Sequence, residues 1–179
     1  MSRVFVISDT HFGHSNILGF TSRGKLYKTI EEHDEAIIEN WNAEVNSRDV
    51  VYHLGDVAWY GPAAARCLPR LNGRKKYLIA GNHDVPKWVS PYFDAIGGAK
   101  DIRGCLLTHV PIHPQEFYRW KFNIHGHLHD NIVKTPEGEP DLRYICASCE
   151  HINMRPVELD ALIERWEMRI GYTQGDNHD

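Results

Sequence analysis

One event recurs along this chain and constrains its fold more than any other feature. A short apolar run ends, and a metal-capable side chain stands just beyond it. Residues 4–7 run into Asp9-Thr10-His11, residues 49–54 into Gly55-Asp56, and residues 75–80 into Gly81-Asn82-His83-Asp84. Residues 105–108 run into His109, and residues 122–125 into Gly126-His127-Leu128-His129. Apolar runs of about 4–8 residues bounded by turn residues read as buried strands. In open α/β sheets, ligands sit in the crevice beyond the carboxyl ends of the strands. One Asp or His at a strand end is an ordinary turn former, but five such ends in succession imply strands that finish at a common edge. On extended backbone, the i, i+2 spacing of Asp9 with His11 and of His127 with His129 would send both side chains to one side. The interleaved glycines would let the backbone turn sharply and approach closely.

The remaining pattern supplies the other elements. Thr29-Ile30-Glu31-Glu32 is a capping box, and Ile37, Ile38, Trp41 and Val45 follow at helical spacing, which predicts a helix over 30–45. Further helices are expected over 61–71, with Pro62 in the first turn, over 87–96, and over 158–170, where Leu159, Leu162, Ile163 and Trp166 share a face. Strands are expected at 100–103, 143–148 and 154–157. The first half alternates strand with helix and the second half is mostly strand, which suggests an α/β core with a second, more antiparallel sheet. The length of 179 residues fits one domain, expected over 1–172 with a disordered tail over 173–179.

Composition narrows the class. The formal charge of −4 argues against a protein that grips nucleic acid by bulk charge. No apolar run reaches the roughly 18–20 residues of a membrane span. The N-terminal run is too short for a signal peptide, so a cytoplasmic location is expected. Cys146 and Cys149 form a lone CxxC whose offset of three, on a strand, sets the thiols on opposite faces. All four cysteines, Cys67 and Cys105 included, are therefore expected to be reduced packing residues.

The 12 histidines are concentrated at the strand ends. With His83 held back, two Asp, one Asn and four His make a donor set too large for a single zinc, which takes about four ligands. The set suits two ions sharing a carboxylate. Its mixed nitrogen and oxygen chemistry fits Mn²⁺, Fe, Zn²⁺ or Ni²⁺ better than Ca²⁺. Two ions roughly 3.5–4 Å apart form a clamp for in-line displacement at phosphorus.

These five blocks resemble the signature of the calcineurin-like metallophosphoesterase superfamily: D-x-H, G-D, G-N-H-[DE], a strand-end His, and G-H-x-H. They span Asp9 to His129. The stretch Asp9-Thr10-His11-Phe12-Gly13-His14-Ser15-Asn16-Ile17 further resembles a small bacterial and phage branch of phosphoesterases. The resemblance implies a four-layer α/β/β/α sandwich with two facing mixed sheets. It implies Asp9, His11 and His129 as ligands of one divalent ion, Asn82, His109 and His127 of another, and Asp56 between them, with Mn²⁺ the expected metal. It also implies a metal-bridging hydroxide as attacking group, His83 as general acid, and Asp84 orienting His83. The implied substrate is a small phosphate ester, a phosphodiester or nucleotide-like compound first. Monoesterases and nucleases share the mechanism, and a non-catalytic scaffold shares the fold.

Departures refine this. Gly55-Asp56-Val57-Ala58-Trp59-Tyr60-Gly61 lacks the arginine of the protein phosphatases' G-D-x-x-D-R-G, which argues against a phosphoprotein substrate. Thr108 stands where a glycine usually precedes the fourth-block His. His14 and Asn16 are candidates for contacting the substrate phosphate or supporting a ligand. His53 and His125 read as core or ligand-supporting residues, and Arg23 and Lys25 lie in a loop that could form a lid.

Overall fold

The computed structural model describes residues 2–171, so the tail expected over 173–179 lies outside the described residues. In chain order the strands are β1 (Val4–Ile7), β2 (Val50–His53), β3 (Lys75–Ile79), β4 (Ala95–Gly97), β5 (Ala99–Ile102), β6 (Cys105–Thr108), β7 (Phe122–His125), β8 (Tyr144–Cys146) and β9 (Val157–Glu158). The helices are α1 (Ile17–Phe20), α2 (Ile30–Glu44), α3 (Gly61–Cys67), α4 (Pro86–Val89) and α5 (Leu159–Arg169).

The chain forms an α/β fold of two mixed sheets. One sheet runs β4-β3-β2-β1-β9 and the other β5-β6-β7-β8. Strands β1 to β4 are mutually parallel and only β9 is antiparallel. The second sheet is not the more antiparallel one that its strand-rich sequence suggests. Strands β6, β7 and β8 are parallel, and only β5 reverses. Parallel neighbours need a crossover of about a dozen residues or more, and the links from Thr108 to Phe122 and from His125 to Tyr144 are long enough without an α-helix. The sheets therefore have the same plan, a parallel block with one antiparallel edge. They meet beyond the ends of β1 and β8, where Ser8 pairs with Ser148 and the Ser8 N–H donates to the Ala147 carbonyl at 2.9 Å.

Two apolar cores hold this arrangement. Val6, Leu54 and Ile79 of the first sheet pack with Leu107, Ile124 and Ile145 of the second, and Leu159 and Leu162 of α5 join them. On the other face of the first sheet, Phe5, Ile7, Val51 and Leu78 meet Ile37, Ile38 and Trp41 of α2 and Ala63, Ala64 and Cys67 of α3. Helix α2 starts as expected: the Glu32 N–H donates to Thr29 Oγ1 at 3.2 Å, and the Glu32 carboxylate accepts from Lys28 N at 2.8 Å. Trp41 is fully buried and its Nε1–H donates to the Asn72 carbonyl at 2.8 Å. Removing that ring would cost about 3–5 kcal/mol.

Three expected elements differ. The helix expected over 87–96 is only α4 followed by a 3-10 turn, Ser90–Tyr92, and the chain then enters β4. Pro91 brings no N–H to continue a helix, while Ala95, Ile96 and Gly97 pair with Tyr77, Leu78 and Ile79. The strand expected over 154–157 begins only at Val157, because Asn153 and Met154 are left-handed with φ of 55° and 56°. The loop after His14 is structured as α1 and a 3-10 turn, Ser22–Lys25. The four cysteines are in no disulfide.

Candidate metal centre

Parallel β1, β2 and β3 end at one edge, as do β6 and β7, and the loops beyond those ends carry every metal ligand expected from sequence. The local backbone is not the extended chain that the i, i+2 spacing suggests. Asp9, His11, Asp56, His127 and His129 all have positive φ, between 47° and 70°. Left-handed backbone disfavours any side chain beyond glycine by roughly 1–2 kcal/mol per residue. It persists where surrounding bonds over-determine it.

Those bonds are present. The N–H groups of Asp9, His11 and Phe12 donate to the carbonyls of Gly55, Asp56 and Val57 at 2.9–3.0 Å, zipping the first loop to the second. Asp84 joins the second loop to the third: its carboxylate accepts from the N–H groups of Asp56, Val57 and Gly81 at 2.8–3.0 Å. Asp84 was expected to orient His83. Its oxygens instead hold the main chain that carries Asp56. The loops also approach too closely for side chains. A Cβ on Gly126 would lie 1.9 Å from Ser8 Oγ, and one on Gly81 would lie 2.2 Å from Asp56 Oδ1.

Two triads converge. Asp9, His11 and His129 form one and Asp56, His109 and His127 the other, with the candidate ligand atoms of each within 4.8 Å of one another. Asp56 Oδ2 lies between them, 3.6 Å from His11 Nε2 and 3.5 Å from His109 Nε2. Asn82 Oδ1 is 3.0 Å from His109 Nε2.

The donor chemistry fits a cation in each triad. Asp9 Oδ1 and His11 Nε2 are buried without a hydrogen-bond partner and lie 3.9 Å apart. Buried polar atoms are normally satisfied, so this pair faces a missing positive partner. His109 Nδ1–H donates to the Leu54 carbonyl at 2.7 Å, which turns the Nε2 lone pair toward the oxygens of Asp56 and Asn82. Lone pairs face one another there unless a cation intervenes. Burial opposes charge on His109, but the Asp56 and Asp9 carboxylates raise its pKa above the ordinary value. Burial raises Asp9 and drives His11 well below the ordinary imidazole value. Burial also pushes Asp56 upward, but the hydrogen bond and charge of His109 outweigh it and hold the carboxylate well below its usual range.

Groups behind the ligands complete the centre. Asp9 Oδ2 accepts from Ser148 Oγ at 2.8 Å and from His127 N at 2.9 Å. His129 Nδ1 lies 3.2 Å from Glu150 Oε1, which also accepts from Arg23 Nε at 2.8 Å. Burial would raise Glu150, but its bond to His129 and the Arg23 charge lower its pKa to about 2. Arg23 is no lid residue. It is wholly buried, and its guanidinium donates to the carbonyls of Asp9 at 2.6 Å and Thr10 at 3.3 Å and meets His33 Nε2 at 3.0 Å.

His14 lies behind His11, with their Nδ1 atoms 3.3 Å apart, and burial lowers its pKa to about 4. Asn16 is exposed at the start of α1 and makes no side-chain cap. His83 is exposed at the rim, its N–H donating to Asp56 Oδ1 at 2.9 Å and its ring 5.8 Å from that of His11. His53 is a core residue, joining Thr10 Oγ1 at 2.9 Å and accepting from Gly55 N at 3.2 Å.

The sequence points to neither Glu150 nor Ser148 as a site residue, and to Arg23 only as part of a loop that could form a lid. Glu150 was within reach: it stands just past the sixth strand end, where the same recurrence applies. No local signal marks Arg23.

The family model for calcineurin-like phosphoesterases matches residues 2–132. The uncharacterised protein MJ1445 of Methanocaldococcus jannaschii is 35% identical over 173 residues, covering 92% of this chain and 91% of its own. The Gene 66 protein of Mycobacterium phage D29 is 27% identical over 178 residues, covering 78% and 85%. Among solved structures, the protein of unknown function AQ665 from Aquifex aeolicus superposes with a TM-score of 0.68 and 26% identity, covering 92% of this chain and all of its own.

Proposed function

Because the chain belongs to the calcineurin-like phosphoesterases and is thus a metal-dependent phosphoester hydrolase, we propose that it hydrolyses small phosphodiesters or nucleotide-like esters at a centre of two divalent ions, in the cytoplasm. The observation that carries this reading is Asp56 Oδ2, placed 3.6 and 3.5 Å from the Nε2 atoms of one histidine in each triad. Asp9, His11 and His129 would hold one ion, Asn82, His109 and His127 the other, and Asp56 both, with Mn²⁺ our choice of metal. Such ions, when bound, supply Lewis acidity at the phosphoryl oxygens and a more acidic water.

The chain's own groups do the rest. The rim position of His83 lets its imidazole reach an ester that enters from solvent. Its N–H on Asp56 Oδ1 ties that position to the shared carboxylate. In this role His83 protonates the leaving ester oxygen. Asp84 keeps the loops of Asp56 and His83 in register through their main chain. Arg23 and Glu150 keep the Asp9 carbonyl and the His129 imidazole in place. The extended first block agrees with the bacterial and phage branch, in which we place the chain.

The test is hydrolysis of bis-p-nitrophenyl phosphate and p-nitrophenyl phosphate with Mn²⁺. Faster cleavage of the diester is expected, falling by about 10²–10⁴ in His83→Ala. No metal-dependent cleavage of either compound would sink the proposal. Preference for the monoester would overturn the diesterase assignment.

A further inference from the structure

Beside the metal centre runs a wall of aromatic rings that the proton transfers and the ligand set leave unused. Trp59 lies flat on His14, with centroids 3.8 Å apart and planes 3° apart. Phe20 meets the same His14 edge-on at 5.7 Å and stands 6.4 Å from His129. At the other end, Trp59 comes within 5.1 Å of His83. The wall thus passes from a metal ligand to the proposed acid.

Neither ring belongs to a core. Phe20 is 62% exposed and Trp59 43%, and both lie outside the two apolar clusters. Burying such rings normally contributes stability, so their position in solvent at the mouth of an anion-binding site calls for an occupant. The main chain of Trp59 is also held in place: its backbone N–H donates to the Phe12 carbonyl at 3.0 Å, and Phe12 pairs with Ala58. Stacking on His14, which is itself buried against His11, fixes the plane of the indole. A surface pre-set in this way gives up little freedom when a ligand stacks on it.

We infer that Phe20 and Trp59 form a subsite for a planar aromatic group attached to the scissile phosphate, with a nucleobase as the occupant. The inference rests on the phosphoesterase reading and names the substrate class of that same centre. Stacking on ring faces tolerates every base, so the subsite selects for the presence of a base and is indifferent to its identity.

Adenosine 5′-monophosphate and ribose 5-phosphate carry the same phosphate and differ by the base. Their dissociation constants for the Mn²⁺-loaded protein, measured by calorimetry, test the subsite without turnover. The nucleotide is expected to bind roughly tenfold or more tighter. The ratio should fall toward one in Trp59→Ala and in Phe20→Ala, and Trp59→Phe should retain most of it. Equal affinities in the unaltered protein would overturn the subsite, as would a ratio that neither alanine substitution changes. Parallel loss of both ligands in a variant, which marks a collapsed phosphate site, would overturn it too. A change of oligomeric state on substitution, with a wild-type ratio of one, would assign the wall to a second copy of the chain instead. If neither ligand binds and no p-nitrophenyl ester is cleaved, the phosphoesterase reading itself has failed, an outcome distinct from binding that ignores the base.

Discussion

The two triads are supported by different kinds of group. Behind Asp9, His11 and His129 stand side chains: Ser148 on Asp9, His14 on His11, and Glu150 with Arg23 on His129. Behind Asp56 and His109 stands mostly main chain: the His83 N–H on Asp56 and the Leu54 carbonyl under His109. His127 rests edge-on against His109, with ring centroids 5.1 Å apart. A main-chain partner survives any substitution that preserves the fold, whereas a side-chain partner can be deleted singly. The first triad should therefore be tunable through the side chains behind it, and the second through its own residues and the Asp84 carboxylate that holds its loop.

The comparison can be broken most severely at Asp56, whose Oδ2 lies between the two triads. If Asp56 holds the two proposed ions, losing Lewis acidity worth several kcal/mol at each should lower kcat/KM by on the order of 10⁴-fold or more in Asp56→Ala. Metal analysis should then show both classes of site weakened. Retention of one tight ion would show that Asp56 belongs to a single triad.

Arg23→Met comes next. It leaves Glu150 buried without its cation, and breaking a buried pair from one side costs about 3–5 kcal/mol. Urea unfolding of the metal-free protein measures this. Glu150→Gln in the same chain should recover part of the loss, because it removes the stranded charge.

Glu150→Gln alone sharpens the contrast between triads. The carboxylate behind a ligating histidine is typically worth 10–100-fold in metal affinity. A Mn²⁺ titration should therefore show one class of site weakened by that factor and the other unmoved. Equal weakening of both would erase the distinction.

The effect that is smallest near neutral pH concerns His53, which joins the loops of the two triads. Its Nδ1 accepts the Gly55 N–H, so the ring must be neutral, and burial lowers its pKa to about 3. Above the unfolded value of about 6.5 both states are neutral and nothing is lost. As pH falls below 6.5 the unfolded chain binds a proton that the folded chain refuses, so stability declines. The loss is under about 1 kcal/mol at pH 6 and about 3 kcal/mol at pH 4. His53→Gln should flatten that part of the acid limb in the metal-free protein.

Much of the centre was legible before any coordinates. Each candidate ligand follows a strand, and strand, turn and ligand chemistry are all local properties. The same rule reaches Glu150 beyond β8. The role of Arg23 is not legible, because a lone arginine in a polar loop looks solvated and its burial depends on a carboxylate 127 positions away. The mostly parallel pairing of the second sheet is hidden for a related reason: crossovers without helices leave no periodic pattern to read.

The sequence by itself determined which atoms could bind a cation, how many there are, and that they stand at strand ends. Those facts follow from residue type and short-range pattern. Only the tertiary structure decided which atoms share an ion-sized space, that Asp56 lies between the triads, and that five candidate ligands take left-handed backbone. Such conformations are unfavourable alone. They are held by bonds between distant loops, among them the His127 N–H on Asp9, 118 residues apart, and Ser148 on Asp9, 139 apart.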